Sequence, residues 1–266
     1  MLRKKETVLW NDRVGPDYYK LGLSCHVEYL NSVPGQFVML GASDGFSFAL
    51  PRPFSIHRLI IERGKIEGIE ILYKVVGRVT KIFSNYQKGD ELNLLGPLGH
   101  GFALPDIAGK PIFMAGGGIG IAPMLFLADF LLKKNIDPAL CEVFAGGKTS
   151  NDILAAEEFK RLGVNLFIAT DDGGSGEKGL VTDIMEAGIQ KNPPCVIYAC
   201  GPRGMLKQVS AVSKKYCLPC QISMETVMAC GMGACQGCAT KGKRDDKYLH
   251  MCTDGPVFDS GVLDLK

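Results

Sequence analysis

Three cysteines fall within nine residues near the end of this 266-residue chain, in the segment CGMGACQGC at 230–238. Cys252 follows fourteen positions later, so the spacing is Cys230-x4-Cys235-x2-Cys238-x13-Cys252. A C-x4-C-x2-C run with a distant fourth cysteine is the arrangement of plant-type [2Fe–2S] sites. The small residues between the cysteines let the loop wrap closely and point backbone N–H groups at a negatively charged cluster. We therefore expect these four thiolates to bind a [2Fe–2S] cluster.

A structural zinc site is the alternative for the same four cysteines. Zinc sites more often show paired C-x2-C knuckles than a single pair inside a glycine-rich loop. The segment after residue 221 is too short to bury a core of its own, so we expect something else to hold it together. Cys217 and Cys220 form a CLPC pair that resembles a redox motif, but no thioredoxin-like unit precedes it.

Composition indicates the cellular compartment and the classes of binding partner to expect. Ten cysteines occur with no segment of the kind that directs secretion, which indicates a reducing, cytoplasmic compartment. The 30 basic and 28 acidic residues give a net charge of +2, so no nucleic-acid or membrane-surface footprint stands out. The apolar run at 111–132 is long enough to span a membrane. Its glycines and Pro123 instead favour a buried strand, a turn and a helix.

The pattern divides the chain into three domains. Residues 1–107 consist of short strand-like runs between turn residues, which predicts an antiparallel β-barrel. Residues 108–220 alternate apolar runs with amphipathic stretches, which predicts a parallel sheet with helices on its faces. Residues 221–266 form the cysteine-rich tail. The predicted strands are 26–30, 36–40, 46–50, 66–76, 90–96, 111–116, 140–146, 164–170 and 195–200, and helices are predicted after residue 121 and near 152–162, 181–190 and 202–216.

A glycine-rich turn, AGGGIGIAPM at 115–124, follows a predicted strand and opens a predicted helix. Free backbone N–H groups and the helix dipole at such a turn favour a phosphate, and glycines allow close approach. The turn departs from the G-x-G-x-x-G fingerprint, since Pro123 stands where a third glycine is sought. A tight turn that serves only helix–sheet packing is therefore the alternative to nucleotide binding.

Three motifs occur in a fixed order along the chain: RPFSI at 52–56, GGGIGIAP at 116–123 and CGP at 200–202. In this order they resemble the ferredoxin–NAD(P)+ reductase superfamily, in which a flavin-binding barrel precedes a nicotinamide-nucleotide domain. With the C-terminal cysteines added, the whole chain is similar to the electron-transfer subunits of B-type dihydroorotate dehydrogenases. That resemblance implies FAD, a [2Fe–2S] cluster and NAD as cofactors.

The resemblance also assigns roles to matching positions. Arg52 would pair with the FAD pyrophosphate, and Ser55 would hydrogen-bond the isoalloxazine near its reactive nitrogen. Cys200 would lie near the nicotinamide, so Ser55 and Cys200 are the candidate catalytic residues. The implied FAD contacts are Arg52, Pro53, Phe54, Ser55, Leu72, Tyr73, Lys74, Gly77, Val79 and Thr80, and the implied NAD contacts are Gly117, Gly118, Gly120, Pro123, Gly201 and Pro202.

Each of these residues has an ordinary alternative role. Arg52 could be a surface charge, Ser55 a turn residue and Tyr73 a core residue of the barrel. Cys200 could be a small residue that ends a buried strand. Val79 stands where the family usually has glycine, which weakens the diphosphate assignment of the GRVT segment at 77–80.

The implied cofactors form a sequence of electron carriers. Nicotinamide exchanges electrons in pairs and an iron–sulfur cluster singly, so a flavin has to stand between them. The three domains leave no part of the chain for an organic substrate, and the resemblance implies a partner. This partner is an FMN-containing catalytic subunit that oxidises dihydroorotate in pyrimidine biosynthesis, in a heterotetramer of two plus two.

Two other functions fit the same features. The first is a reductase subunit with these cofactors that serves sulfide, ferredoxin or an oxygenase. The second is a binding module stapled by zinc. The segment AGGKTSND at 145–152 has no arginine pair to hold a 2′-phosphate, which favours NAD over NADP.

Overall fold

A computed structural model of the protein describes residues 4–43, 50–104, 109–243 and 247–265. Most of the predicted strand at 46–50 and the expected boundary between residues 107 and 108 lie outside these residues. The helices are α1 (Arg78–Phe83), α2 (Ala122–Lys133), α3 (Ala156–Leu162), α4 (Val181–Lys191) and α5 (Arg203–Lys215). The strands are β1 (Lys4–Arg13), β2 (Tyr18–Ser24), β3 (Phe37–Ala42), β4 (Arg52–Ser55), β5 (Arg58–Glu62), β6 (Lys65–Lys74), β7 (Glu91–Leu98), β8 (Ile112–Gly117), β9 (Cys141–Gly147), β10 (Asn165–Thr170), β11 (Glu177–Lys178), β12 (Val196–Cys200), β13 (Cys220–Ser223), β14 (Ala239–Lys241), β15 (Tyr248–His250) and β16 (Val257–Asp259).

The first domain is an antiparallel sheet with the strand order β4-β3-β7-β1-β2-β6-β5. Its two outermost strands, β4 and β5, are separated in the chain only by Ile56 and His57. A sheet whose two edges are consecutive in sequence has to curl back on itself, which is how small antiparallel domains cover a core. The antiparallel first domain that the turn spacing predicts is confirmed.

Three parts of this domain differ from the prediction. The segment 26–30 is not a strand but lies largely in a 3-10 turn, Val27–Asn31, in which only Tyr29 is buried. Local bonds such as that from the Ser32 N–H to the Tyr29 carbonyl satisfy its backbone. Strands β1, β2, β4 and β5 were not predicted, because charged residues or a proline interrupt their alternation. Helix α1 is only six residues long, too short to show a helical period.

The second domain is the predicted parallel sheet, with the order β11-β10-β9-β8-β12-β13-β16. β8 is central, and the chain moves outward from it first through β9 and β10 and later through β12 and β13. Such a reversal creates a crevice beyond the carboxyl ends of the strands. The apolar run at 111–132 forms β8, a turn and α2, and none of the helices in the described ranges is long and apolar enough to cross a membrane.

The cysteine-rich tail is attached to both other domains. The expected boundary after residue 220 falls inside β13, which pairs in parallel with β12. After the β14–β15 hairpin, the tail returns to the same sheet as β16, antiparallel to β13. The His100 N–H donates to the Gly255 carbonyl at 2.7 Å, which ties the tail to the end of the first domain.

Candidate functional site

Two adjacent cavities open around the junction of the first two domains. The barrel cavity, of about 360 Å³, lies against β4, the end of β6 and the start of α1. All ten residues expected to contact FAD line it: Arg52, Pro53, Phe54, Ser55, Leu72, Tyr73, Lys74, Gly77, Val79 and Thr80. The sequence motifs that carry those assignments therefore meet in one place.

Aromatic rings form one wall of the barrel cavity. Tyr73 stacks on Tyr19 with ring centroids 5.5 Å apart, and Phe54 meets Tyr73 edge-on at 6.0 Å. The Tyr73 hydroxyl donates to Oδ1 of Asn11 at 3.2 Å, so its ring is fixed as part of the core while one face borders the cavity. A wall of this kind suits a flat apolar ring system.

Three cations and one carboxylate also line the barrel cavity: Arg52, Lys74, Arg78 and Glu225. Nη1 of Arg52 donates to the Leu50 carbonyl at 2.7 Å, which leaves the other guanidinium donors of Arg52 for an anion. The excess of positive charge suits a diphosphate. Sequence reasoning missed Arg78, although it lies inside the GRVT segment.

The Thr80 hydroxyl organises the loop before α1. It accepts from the N–H groups of Val76 and Gly77, at 3.0 and 3.1 Å, and donates to the Gly77 carbonyl at 3.1 Å. These bonds use the one donor and both acceptor positions of a hydroxyl. The side chain of Thr80 therefore shapes the loop that borders the cavity.

The sheet cavity, of about 530 Å³, lies beyond the carboxyl ends of β8, β9, β10 and β12. Of the residues expected near the nicotinamide nucleotide, it is lined by Gly117, Gly118, Gly120, Gly201 and Pro202. Pro123 lies in the first turn of α2 and lines neither cavity. The crevice is where open parallel sheets bind nucleotides.

Two glycines explain the shape of the turn. Gly118 has φ +52°, in the left-handed region, and a Cβ on Gly120 would lie 2.3 Å from the Cys200 carbonyl oxygen. The turn therefore packs directly on the end of β12 and also borders the cavity. Its tight packing leaves room for a nucleotide beside it, and the nucleotide-binding role of the turn stays a prediction.

Cys200 is the last residue of β12, directly before Gly201 and Pro202 of the sheet cavity. Its side chain is buried and lines neither cavity. Burial raises the pKa of the thiol far above its ordinary value, which keeps the sulfur protonated. The catalytic assignment of Cys200 stays a prediction.

The two cavities meet at Lys74, Ile119 and Glu225, which line both. Glu225 follows the carboxyl end of β13 by two residues; its side chain is exposed in the open cavity, and desolvation by the protein around it raises the pKa of its carboxyl group. Sequence reasoning missed Glu225, because β13 was not among the predicted strands. Ligands of open parallel sheets bind beyond the carboxyl ends of the strands. Glu225 is therefore a candidate site residue once β13 is known to belong to the sheet.

A second missed residue is Asp171, directly after β10 and on the wall of the sheet cavity. An acidic side chain at a strand end in such a crevice can accept a bond from a ribose hydroxyl and repel a 2′-phosphate. Asp171 follows β10, one strand further from β8 than the segment AGGKTSND that follows β9.

Polar contacts hold the two domains together at the mouth of the sheet cavity. The Tyr18 hydroxyl donates to Oδ1 of Asp152 at 2.5 Å, and Nζ of Lys74 lies 3.6 Å from the same oxygen. Burial alone would raise the pKa of Asp152. The bonds from the Tyr18 hydroxyl and the Thr149 N–H outweigh burial and lower the pKa below its ordinary value.

The four cysteines of the tail lie close together: three are in the loop 230–238, called the cysteine loop, and Cys252 packs against this loop from beyond β15. The Sγ atoms of Cys238 and Cys252 are 3.3 Å apart, beyond the ~2.05 Å of a disulfide. Two thiolates bonded at about 2.3 Å to one tetrahedral metal lie roughly 3.8 Å apart. The Cys235 N–H points at Sγ of Cys230 at 3.4 Å, which places these two cysteines side by side.

Backbone donors surround the sulfur atoms. Besides Cys235, the N–H groups of Met232, Gly233 and Gly237 point at sulfurs of Cys230, Cys252 and Cys235, at 3.2–3.5 Å. The Met232 N–H chiefly lowers the pKa of Cys230 to about 6. Burial raises the pKa of Cys252 to about 11. Donors aimed at sulfur are what a negatively charged iron–sulfur centre requires.

In the described ranges, no three cysteine, histidine or acidic side chains are grouped to hold a single metal ion. A [2Fe–2S] cluster divides four ligands between two irons, so two neighbouring pairs of thiolates fit it.

The cysteine loop adjoins the barrel cavity. Met228 lines that cavity and precedes Cys230 by two residues, and Pro256 lines it four residues after Cys252. Cys238 and Cys252 share one buried core with Met39 of β3, Met228 and Phe37. The loop and the barrel cavity are therefore separated by packed apolar side chains.

Family comparisons agree with these placements. The family described as "Iron-sulfur cluster binding domain of dihydroorotate dehydrogenase B" matches residues 225–264, and "Oxidoreductase NAD-binding domain" matches residues 114–211. The first covers the cysteine loop and the second covers the glycine turn and the end of β12.

Among solved structures, one described as "Insights into flavin-based electron bifurcation via the NADH-dependent reduced ferredoxin-NADP oxidoreductase structure" has a TM-score of 0.85, at 23% identity over 98% of this chain and 90% of that one. A ferredoxin NADP+ reductase from Neisseria gonorrhoeae with bound FAD and NADP has a TM-score of 0.66, at 18% identity over 80% and 91% of the two chains. These likenesses establish the reductase-like fold.

Two curated relatives carry the name "Dihydroorotate dehydrogenase B (NAD(+)), electron transfer subunit". The protein of Caldanaerobacter subterraneus subsp. tengcongensis is 38% identical over 258 residues, 96% of each chain. That of Fusobacterium nucleatum subsp. nucleatum is 36% identical over 265 residues, 98% of each chain. At this identity over nearly the full length, the chain belongs to the family of dihydroorotate dehydrogenase B electron transfer subunits.

Proposed function

We propose that this protein is the electron-transfer subunit of an NAD-dependent dihydroorotate dehydrogenase. It takes electrons from a catalytic subunit and delivers them to NAD+ through a [2Fe–2S] cluster and FAD. The observation that carries the proposal is the order of three adjoining sites in one chain. The cysteine loop adjoins the barrel cavity through Met228, and the barrel cavity meets the sheet cavity at Lys74, Ile119 and Glu225.

The barrel cavity is assigned to FAD. When bound there, FAD supplies the exchange between single electrons and electron pairs that neither of its neighbours can perform. Tyr73 and Phe54 would flank its ring system, Ser55 would hydrogen-bond it, and Arg52 and Arg78 would neutralise the diphosphate. The apolar walls exclude water from the ring.

The sheet cavity is assigned to NAD. Gly117, Gly118 and Gly120 would shape the turn around its diphosphate, and Asp171 would bind the adenosine ribose. Gly201 and Pro202, at the end of β12, would lie beside the nicotinamide. Glu225 lies at the junction with the barrel cavity and would border both nucleotides.

Cys230, Cys235, Cys238 and Cys252 are assigned as the ligands of the [2Fe–2S] cluster. Support comes from the N–H donors around their sulfurs and from the family match over residues 225–264. The family match, whose description names an iron–sulfur cluster, favours this assignment over the zinc alternative.

The partner is a catalytic subunit that carries FMN, and the assembly is a heterotetramer of two plus two in the cytoplasm. Support for a partner at the cluster comes from the apolar side chains around the cysteine loop. Val227, Met232 and Tyr248 are 82%, 49% and 65% exposed, and Cys235 of the cysteine loop is also exposed. Such a patch is typical of a surface that another protein covers.

The assignment is tested by assaying the chain alone and with its partner. Alone, we expect oxidation of NADH with an artificial acceptor and no oxidation of dihydroorotate. After co-purification with an FMN protein from the native source, we expect dihydroorotate-dependent reduction of NAD+. Oxidation of dihydroorotate by the isolated chain would refute the assignment of this reaction to the partner subunit. Co-purification with an oxygenase or a sulfide-linked enzyme would identify a different partner.

A further inference from the structure

His57 lies at the interface between the antiparallel domain and α2. It falls between β4 and β5, two residues after Ser55, and its side chain is 0% exposed. It lines neither cavity, so it is not positioned to touch a ligand in them.

One ring nitrogen of His57 joins the two domains. Nδ1 lies 2.7 Å from the carbonyl oxygen of Ala122, and since a carbonyl only accepts, Nδ1 carries the proton. Ala122 is the first residue of α2, directly after the turn Gly118–Ile121, and it also lines the barrel cavity. The bond therefore links the strand that carries Ser55 to the turn that borders the sheet cavity.

The other ring nitrogen, Nε2, faces the buried side chain of Glu70 without a hydrogen bond to it. Nε2 lies 4.0 Å from Oε1 of Glu70, and neither atom has a hydrogen-bond partner among the described residues. Oε2 of Glu70 is held by Nη2 of Arg58 at 3.0 Å. Burial first, and then the charges of Lys20 and Arg58, lower the pKa of His57 to about 3, so the ring is neutral. A neutral Nε2 and a carboxylate oxygen are both acceptors.

This arrangement lowers stability relative to apolar side chains of similar size, because it buries polar atoms without partners. Stability alone therefore does not account for an imidazole at this position. Within the part of the chain that the structure describes, the ring makes one polar bond, to Ala122, and this is the contact that an apolar residue could not provide.

We propose that His57 is a positioning residue for hydride transfer. Its bond to Ala122 holds the turn Gly118–Ile121 in place against β4, the strand that carries Ser55. The bond thereby fixes how nicotinamide approaches the isoalloxazine. The proposal rests on the proposed function, because it takes the barrel cavity as the FAD site and the sheet cavity as the NAD site. In the reaction to be measured, NADH passes a hydride to oxidised FAD, solvent supplies one proton, and His57 gains or loses none.

The test compares His57→Leu with His57→Asn in the complete FAD- and cluster-containing protein. Leucine removes the donor, whereas the amide nitrogen of asparagine takes the place of Nδ1 and can still donate to Ala122. Rapid-mixing absorbance measures flavin reduction over a range of NADH concentrations, which separates the rate at saturation from the affinity. FAD and iron contents are measured for each variant.

We expect His57→Leu to reduce the rate at saturating NADH by about tenfold or more, because small misplacements of reacting groups have effects of that size. NADH affinity and FAD content should stay within about twofold, since those contacts are made by other residues. His57→Asn should recover most of the rate. A wild-type rate in His57→Leu, or an equal loss in both variants, would overturn the positioning role.

His57→Gln provides a second comparison if the leucine variant does not fold. Its amide nitrogen reaches the place of Nε2 and not that of Nδ1, so we expect it to be slower than His57→Asn at saturation. Equal rates in these two variants would overturn the proposal. If the unmodified protein bound no FAD, or NADH did not reduce it, the proposed function would fail as well, so the two failures are distinguishable.

Discussion

The sheet cavity and the cysteine loop are built in different ways. The cavity lies at the ends of β8, β9, β10 and β12, which are five to seven residues long and joined by parallel ladders. The loop is followed by β14 and β15, which have three residues each and pair only with one another. The cavity therefore takes its shape from the backbone of a buried sheet, whereas the cluster proposed for the loop would be part of the loop's own structure. Substitutions should act sterically in the first region and through the metal in the second.

The largest effect is expected from Cys252→Ser, which removes a buried ligand from the loop. Iron and acid-labile sulfide should be lost, and electron transfer from the partner should fall by more than about a hundredfold. NADH oxidation with an artificial acceptor should persist, because FAD and NAD bind elsewhere. Cys217→Ser is the matched control, since Cys217 is an exposed thiol outside the loop. Metal analysis showing full iron in Cys252→Ser would contradict the ligand assignment.

A large steric effect is expected from Gly120→Ala. The added Cβ would meet the Cys200 carbonyl oxygen at 2.3 Å, so the turn has to shift. We expect a loss of about 1–3 kcal/mol in the free energy of unfolding and weaker NADH binding. Gly204→Ala is the control, because Gly204 also borders the cavity but its Cβ would meet nothing within 4 Å. Urea unfolding and calorimetric titration measure both quantities, and equal behaviour of the two variants would show that the turn is not backbone-defined.

A moderate effect on specificity is expected from Asp171→Asn. Removing the carboxylate should improve the use of NADPH relative to NADH by about tenfold, which corresponds to roughly 1.4 kcal/mol. Asp172→Asn serves as the control, because Asp172 does not line the cavity and its Oδ1 accepts from the Gly174 N–H at 2.8 Å. Steady-state kinetics with both nucleotides test this, and an unchanged ratio in Asp171→Asn would place the ribose elsewhere.

The smallest effect is expected from Tyr18→Phe, which removes the bond to Asp152. The free energy of unfolding should fall by about 0.5–1.5 kcal/mol at neutral pH. The lowered pKa of Asp152 means that its carboxylate stabilises the fold above the ordinary aspartate pKa of about 3.9, and this contribution is lost as the pH falls through the lower folded-state pKa. The difference between the two proteins should therefore shrink only in acid. Urea unfolding from about pH 7 to about pH 3 measures it, and a pH-independent difference would exclude the carboxylate as its source.

Local motifs made much of the site predictable. The segments RPFSI at 52–56, 72–74 at the end of β6 and GRVT at 77–80 each lie in or directly beside one element, so a resemblance in sequence is enough to place them on the wall of the barrel cavity. The cysteine spacing is also local, apart from Cys252. The sulfur–N–H geometry follows from the small residues between the cysteines.

The missed residues depend on pairing between distant segments. Glu225 reaches the junction only because β13 joins β12 and β16 returns beside it. His57 belongs to no recognisable sequence motif, and its bond to the Ala122 carbonyl forms only when α2 packs on the antiparallel domain. The segment 26–30 looks like a strand because of its apolar residues, yet local turn bonds and one buried ring decide its structure. Such outcomes are set by tertiary contacts and not by local pattern.

Electron transfer from NADH to the cluster within one chain is tested by anaerobic reduction of the purified protein with NADH, followed by electron paramagnetic resonance. We expect the flavin absorbance to bleach and about one reduced [2Fe–2S] centre per chain to become detectable, because the proposed route takes electrons from the sheet cavity through the barrel cavity to the cysteine loop. A protein that contains FAD but shows no such signal, even after a strong chemical reductant, would contradict it.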